Sequence, residues 1–223
     1  MDRFAPFHAK LHAHQLLWPF DVMVLGATGA GKSTTITRLG GQRIPPVGHG
    51  VGPQTQEVCS YKLDDSMRLH DTPGLGDSPR QDAKHMMKIR ERLQETCLVD
   101  QHDYRLIDAA VLILDGSQRD IGAALQVLEQ VLLPGLPSSR IMLAINQADL
   151  AMKGRYWDAH RNCPQAPLQA YLAEQANTLQ HRLQHSTGAN LPMPVSYSAA
   201  TGWHMDALLQ QWLHGMPLHR HAA

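Results

Sequence analysis

Residues 20–35, FDVMVLGATGAGKSTT, constrain the fold more than any other stretch of this chain. Positions 20–25 are a short run rich in Val, Met and Leu, as suits a strand buried on both faces of a parallel sheet. Gly26-Ala27-Thr28-Gly29-Ala30-Gly31-Lys32-Ser33 follows and satisfies G-x-x-x-x-G-K-[ST] at every specified position, with Thr34 next. Glycines in such a loop let the backbone curl until successive N–H groups converge on a phosphate, and the helix behind adds the positive end of its dipole. Lys32 is then expected at the β- and γ-phosphates, and the Ser33 hydroxyl on Mg²⁺. A chance glycine turn followed by Lys-Ser would match in about one chain in a hundred of this size, and the preceding strand makes that coincidence rarer. The stretch predicts a nucleotide site and leaves the base unnamed.

Composition narrows the partners. Lys+Arg and Asp+Glu both number 20, so no charge excess draws the chain to nucleic acid or to an anionic membrane. The 43% hydrophobic and 18% charged content belongs to a folded globular protein, and 223 residues suffice for one substantial core. Cys59, Cys97 and Cys163 are far apart and form no C-x-x-C pair, so the expected setting is reducing and cytoplasmic. No stretch has the pattern of a signal peptide or the length of a membrane span. Fourteen histidines are many, yet His181 and His185, one helical turn apart, lack an evident third metal ligand.

Along the chain, residues 1–19 read as an N-terminal extension with a short docked helix, and 20–223 as a single domain. Helix is expected at 33–39, ended by Gly40-Gly41, followed by a Pro- and Gly-rich mobile loop at 42–54. Strands at 57–63 and 67–72 form a hairpin. Met86, Ile89, Leu93 and Cys97 predict a helix over 82–98, and AAVLIL at 109–114 a buried strand. A helix at 121–133, a strand at 140–145, an irregular connection at 151–167, a helix at 168–185, a strand at 193–197 and a last helix complete the chain.

Two further stretches carry chemistry. Asp71-Thr72-Pro73-Gly74 stands at the end of a strand, where Asp71 is placed to hold Mg²⁺ directly or through water and the Gly74 N–H to meet a γ-phosphate. Asn146-Gln147-Ala148-Asp149 likewise ends a strand. The Asp149 carboxylate can accept from N1–H and the exocyclic amine of guanine, a pair of donors that adenine lacks on that edge, while Asn146 ties the loop to the phosphate loop.

With these pieces the chain resembles the translation-factor-related (TRAFAC) P-loop GTPases, most closely bacterial Era-like domains, over residues 20–214. GATGAGKST resembles the phosphate motif, DTPG the switch II motif and NQAD the base-reading N-K-x-D. Ser198-Ala199 is similar to the S-A motif whose backbone amide meets the guanine oxygen, and Thr55 of GPQTQE to the switch I threonine on Mg²⁺. The resemblance implies a Ras-like α/β fold: a mostly parallel six-stranded sheet with one antiparallel edge strand and helices on both faces. It implies a Mg²⁺-dependent GTPase binding GTP and GDP, with Lys32, Thr55 and Gly74 serving hydrolysis and Ser33, Thr55 and Asp71 serving the metal. Partners would be an effector protein or a second, nucleotide-loaded copy. Two departures stand out. Gln147 replaces the usual Lys that lies on the guanine ring, and Leu75 stands where Ras-like enzymes carry a water-orienting Gln. Gly29 replaces the Asn of potassium-activated relatives. Two alternatives stay open: a GTP-dependent assembly module with negligible hydrolysis, and an ATP-dependent kinase or ATPase.

Overall fold

The computed structural model describes residues 2–16, 18–41, 58–118 and 121–219. The expected loop at 42–54, Thr55 and the start of the strand at 57 lie outside them. In chain order the elements are α1 (Ala5–Ala13), β1 (Phe20–Gly26), α2 (Lys32–Gly40), β2 (Cys59–Lys62), β3 (Met67–Asp71), α3 (Pro79–Gln94), β4 (Thr96–Val99), β5 (His102–Arg105) and β6 (Ala109–Asp115). There follow α4 (Gly122–Val127), a π-helical turn (Leu128–Leu132), α5 (Leu133–Gly135), β7 (Ile141–Asn146), β8 (Trp157–Asp158), β9 (Cys163–Pro164), α6 (Ala166–Thr187), β10 (Val195–Ser196) and α7 (Met205–Gly215).

Six strands form one sheet in the order β10-β7-β6-β1-β3-β2, parallel throughout except for β2 against β3. The sheet is thus the mostly parallel one with an antiparallel edge that the resemblance implies. β1 and β7 are buried along their whole length and β6 nearly so, because helices cover both faces; this is why, Asp21 and the terminal Asp115 and Asn146 apart, they read as apolar runs without alternation. One face packs Phe7 and Leu11 of α1, Ile36 and Leu39 of α2 and Leu208, Leu209 and Trp212 of α7. The other packs Ile89 and Leu93 of α3, the helical run from Ala124 to Leu132, and Ala176, Leu179 and Leu183 of α6. Parallel register brings Gly26, Asp71, Asp115 and Asn146 to the same end of the sheet, where open α/β folds bind ligands.

The helix expected over 82–98 is shifted. Ser78 caps it, accepting from the Gln81 N–H, with Pro79 at its first position, and it ends at Gln94. Cys97 pairs with Tyr104 on a β4–β5 hairpin turned by Asp100 and Gln101, both at positive φ. Its helical spacing from Leu93 was coincidental, since Glu95 has already left the helix with φ −60° and ψ 142°. The connection at 151–167 holds a 3₁₀ turn and the small β8–β9 ladder, and the last strand contracts to two residues.

Beneath α3, a polar group is buried in the sheet. Asp21 accepts from Arg68 at 2.5 and 3.0 Å and from His70 Nε2 at 2.7 Å. Arg92 Nη2, a donor only, lies 3.0 Å from His70 Nδ1, so Nδ1 accepts and His70 is the neutral Nε2–H tautomer. Burial lowers the His70 pKa against the pull of Asp21. Burial raises Asp21, but the bonds from His70 and Arg68 outweigh it and hold its carboxyl below its ordinary value. Both folded pKa values are depressed, and the two signs agree. Stability will fall as pH drops below about 6.5, where the unfolded His70 takes a proton more readily than the folded one, and again below about 4, where the same holds for Asp21. Denaturant midpoints measured from pH 8 to 3 check this; Asp21→Asn should remove the second decline.

Candidate functional site

The phosphate loop connects β1 to α2. Gly31 sits at φ 87°, and a Cβ there would overlap the Asn146 amide nitrogen, so only glycine permits the approach of these two loops. Asn146 is the junction of the site. Its Nδ2 donates to the Ala30 carbonyl at 2.9 Å, and its Oδ1 accepts the Ala199 N–H at 2.9 Å. One buried side chain therefore joins its own loop to two others, whose bonded residues lie 116 and 53 residues away from it.

Gln147 adds a second tie, its Nε2 donating to Gly29 O at 2.7 Å. Gln147 thus grips the phosphate loop without a charge. Asp149 Oδ1 is buried and has no hydrogen-bond partner among the described residues. An ionised carboxylate oxygen left so is costly unless a ligand donates to it. Ser198 and Ala199 are wholly buried at the neighbouring loop.

At the phosphate end, Lys32 is 7% exposed and donates to Gly26 O and Ala27 O, both at 3.0 Å. Burial lowers its pKa, and the charges of Asp71 and Asp77 work against that. Ser33 Oγ donates to Asp71 Oδ2 at 2.8 Å. Gly74 lies so close to Thr28 that a Cβ would overlap its hydroxyl, and Thr28 N–H donates to Leu75 O at 2.8 Å. Leu75 itself turns into the core with Ile89 and Leu93. Thr34 is exposed on α2. Of the expected site residues, all but Thr55 are thus described, and they gather at one end of the sheet.

Several supporting residues carry no motif. Arg38 on α2 donates from Nε to Ala199 O at 2.8 Å and from Nη2 to Ala200 O, clamping the loop that holds Ala199. Thr35 Oγ1 donates to Gly31 O at 2.8 Å, so the Tyr197 hydroxyl, 2.8 Å away, must donate to Thr35. That chain of hydroxyls couples the base end to the phosphate end from beneath. Burial raises the Tyr197 pKa, which keeps it protonated as a donor. These contacts span more than 160 residues, and no local pattern announces them.

A family model described as 50S ribosome-binding GTPase matches residues 21–147, more than half of the chain. The chain belongs to this GTPase family. Its match includes the phosphate loop and DTPG but stops before Asp149 and Ser198-Ala199. Among solved structures, Toc33 from Arabidopsis thaliana, in complex with GDP and Mg²⁺, is 15% identical with a TM-score of 0.66, covering 96% of this chain and 90% of that one. Aquifex aeolicus Era bound to GDP·AlF₄⁻ is 15% identical with a TM-score of 0.51, covering 88% of this chain and 56% of its own. A GTP-binding protein from Sulfolobus solfataricus, in complex with GDP, is 16% identical with a TM-score of 0.51 and covers 88% and 52%. This chain therefore spans little more than half the length of the last two. A comparison with curated proteins gave no match.

Mg²⁺ suits the donors of this GTPase domain. Ser33 and Asp71 present a hydroxyl and a carboxylate side by side, hard oxygen ligands of the kind Mg²⁺ takes together with phosphate oxygens and water. Among the described residues no group of three or more His, Cys, Asp or Glu forms a competing metal site, and no helix is long and apolar enough to cross a membrane.

Proposed function

We propose that this domain binds guanine nucleotide with Mg²⁺ and hydrolyses GTP to GDP and phosphate as a slow, nucleotide-dependent switch. The observation that carries the guanine reading is Asp149 Oδ1, buried without a hydrogen-bond partner among the described residues, in a loop that Asn146 and Gln147 hold against the phosphate loop. An ATP enzyme has no use for a buried carboxylate there, since adenine offers it no paired donors.

In this reading backbone N–H groups of the loop from Gly26 to Thr34, other than those of Thr28 and Ala30, which donate to Leu75 O and Ala27 O, bind the phosphates together with the Lys32 ammonium. To meet phosphate, Lys32 would exchange its bonds to the Gly26 and Ala27 carbonyls for phosphate oxygens. Ser33 and Thr55 would hold Mg²⁺ directly with Asp71 behind them, and the metal would neutralise charge on the phosphate oxygens. The Gly74 N–H adds a donor to the γ-phosphate, and fixed donors of this kind stabilise the charge of phosphoryl transfer to water. Loss of the γ-phosphate releases Gly74 and Thr55, changing the surface offered to an effector or to a second copy. Leu75 is buried apolar surface and cannot orient water, so turnover is expected at about 10⁻³ per second or less.

Single-turnover hydrolysis by the purified chain, run with ATP as competitor, tests the proposal. Slow phosphate release with ATP unable to displace labelled GDP is expected. Unassisted turnover near 1 per second would reject the slow switch, no release at all would favour the assembly module, and equal displacement by ATP would end the guanine reading.

Residues 1–19 we take as an extension docked on a domain of 20–223. In support, Phe7 stacks on Phe20 at 6.4 Å, and Lys10 Nζ donates to Leu213 O and Met216 O at the end of α7.

A further inference from the structure

Leu75 leaves open which side chain, if any, governs the backbone beside the γ-phosphate. α3 supplies one. His85, 7% exposed, places Nδ1 2.8 Å from the Gly74 carbonyl; a carbonyl only accepts, so Nδ1 carries the proton and donates. One turn earlier on the same helix, Asp82 Oδ1 accepts the Gly76 N–H at 3.0 Å. The backbone of 74–76 is thus held from α3 on one side. On the other side it is held by the phosphate loop, through Thr28 N–H to Leu75 O and the bridge between Ala27 and Leu75.

We propose that His85 is a positioning residue for GTP hydrolysis, fixing the Gly74–Leu75 peptide against the phosphate loop from α3. This rests on the GTPase reading above. A polar residue at position 75 would act on water by its side chain; here the side chain is spent on the core, and what faces the reacting phosphate is backbone whose direction His85 sets. The ring is not a sealed core histidine, since it also lines a cleft with Arg80, Gln81, Lys84 and Lys88. A shift of that backbone by about 1 Å changes the line from water to phosphorus, and misplacement on this scale can cost about 100-fold in rate.

The test uses the full chain and three variants, reading single-turnover GTP hydrolysis, GDP affinity and thermal midpoint together. His85→Leu should hydrolyse about 100-fold more slowly while binding GDP within about twofold of wild type, because GDP has no γ-phosphate for Gly74 to meet. His85→Asn, whose amide nitrogen takes the place of Nδ1, should recover most of the rate. His85→Asp, of the same shape but without that donor, should not. Wild-type rates in His85→Leu, a parallel loss of GDP affinity, or Asn performing no better than Asp would each overturn the proposal, and the Asn–Asp comparison stands even if the Leu variant fails to fold. No turnover in the wild type would instead remove the GTPase reading itself, and this inference with it.

Discussion

Asp149→Asn will move the base preference of this protein from guanine to xanthine. The carboxylate is expected to accept from N1–H and the exocyclic amine of guanine, two charge-assisted bonds of about 1.5–3 kcal/mol each. An amide keeps one acceptor and turns the other position into a donor facing the guanine amine. GDP affinity should therefore fall by about two to four orders of magnitude. Xanthine carries an oxygen where guanine carries the amine, so the amide N–H then has an acceptor and xanthosine diphosphate should bind better than GDP. Competition against a labelled nucleotide measures both. The variant should stay folded, because Asp149 Oδ1 has no partner among the described residues to lose. Unchanged ranking of the two bases would remove Asp149 from the base site.

Gly31→Ala will disable nucleotide binding by a different route. Its φ of 87° costs any other residue about 1–2 kcal/mol. The added methyl also falls on the Asn146 amide nitrogen, which cannot retreat without giving up its bonds to Ala30 or Ala199. Each lost bond adds about 1 kcal/mol or more. Together these amount to about 2–4 kcal/mol, a loss of GDP affinity of about 30- to 1,000-fold if the loops part to relieve them, with a lower thermal midpoint to the extent that they stay joined. Calorimetric titration with GDP checks it, and an affinity within about threefold of wild type would show that Asn146 does not join the loops in solution.

The two substitutions differ in how they could be foreseen. The phosphate loop announces itself because phosphate is held by consecutive backbone N–H groups, so the requirement falls on adjacent residues and leaves a local pattern. The buried strands are equally plain, since burial on two faces demands an unbroken apolar run at 109–114. Where helical spacing was extended through Cys97 it misled. A period of four is shared by chance, and departure from the helix at Glu95 depends on where the chain must return to pair at Ala109. The small β4–β5 and β8–β9 ladders were not legible at all. Both are short, partly exposed pairings with no apolar alternation to mark them.

By itself, then, the amino-acid sequence determined which loops hold the chemistry and in what order the chain visits them, because each loop's chemistry is written in three to eight neighbouring residues. Only the tertiary structure decided how those loops are held. Asn146 as a three-way junction, Gln147 on Gly29, Arg38 on Ala199, Tyr197 on Thr35 and His85 on Gly74 each join positions 11 to 162 residues apart. Such contacts depend on strand order and helix placement, and a polar residue that makes one looks, in the sequence, like any other polar residue on a helix or loop.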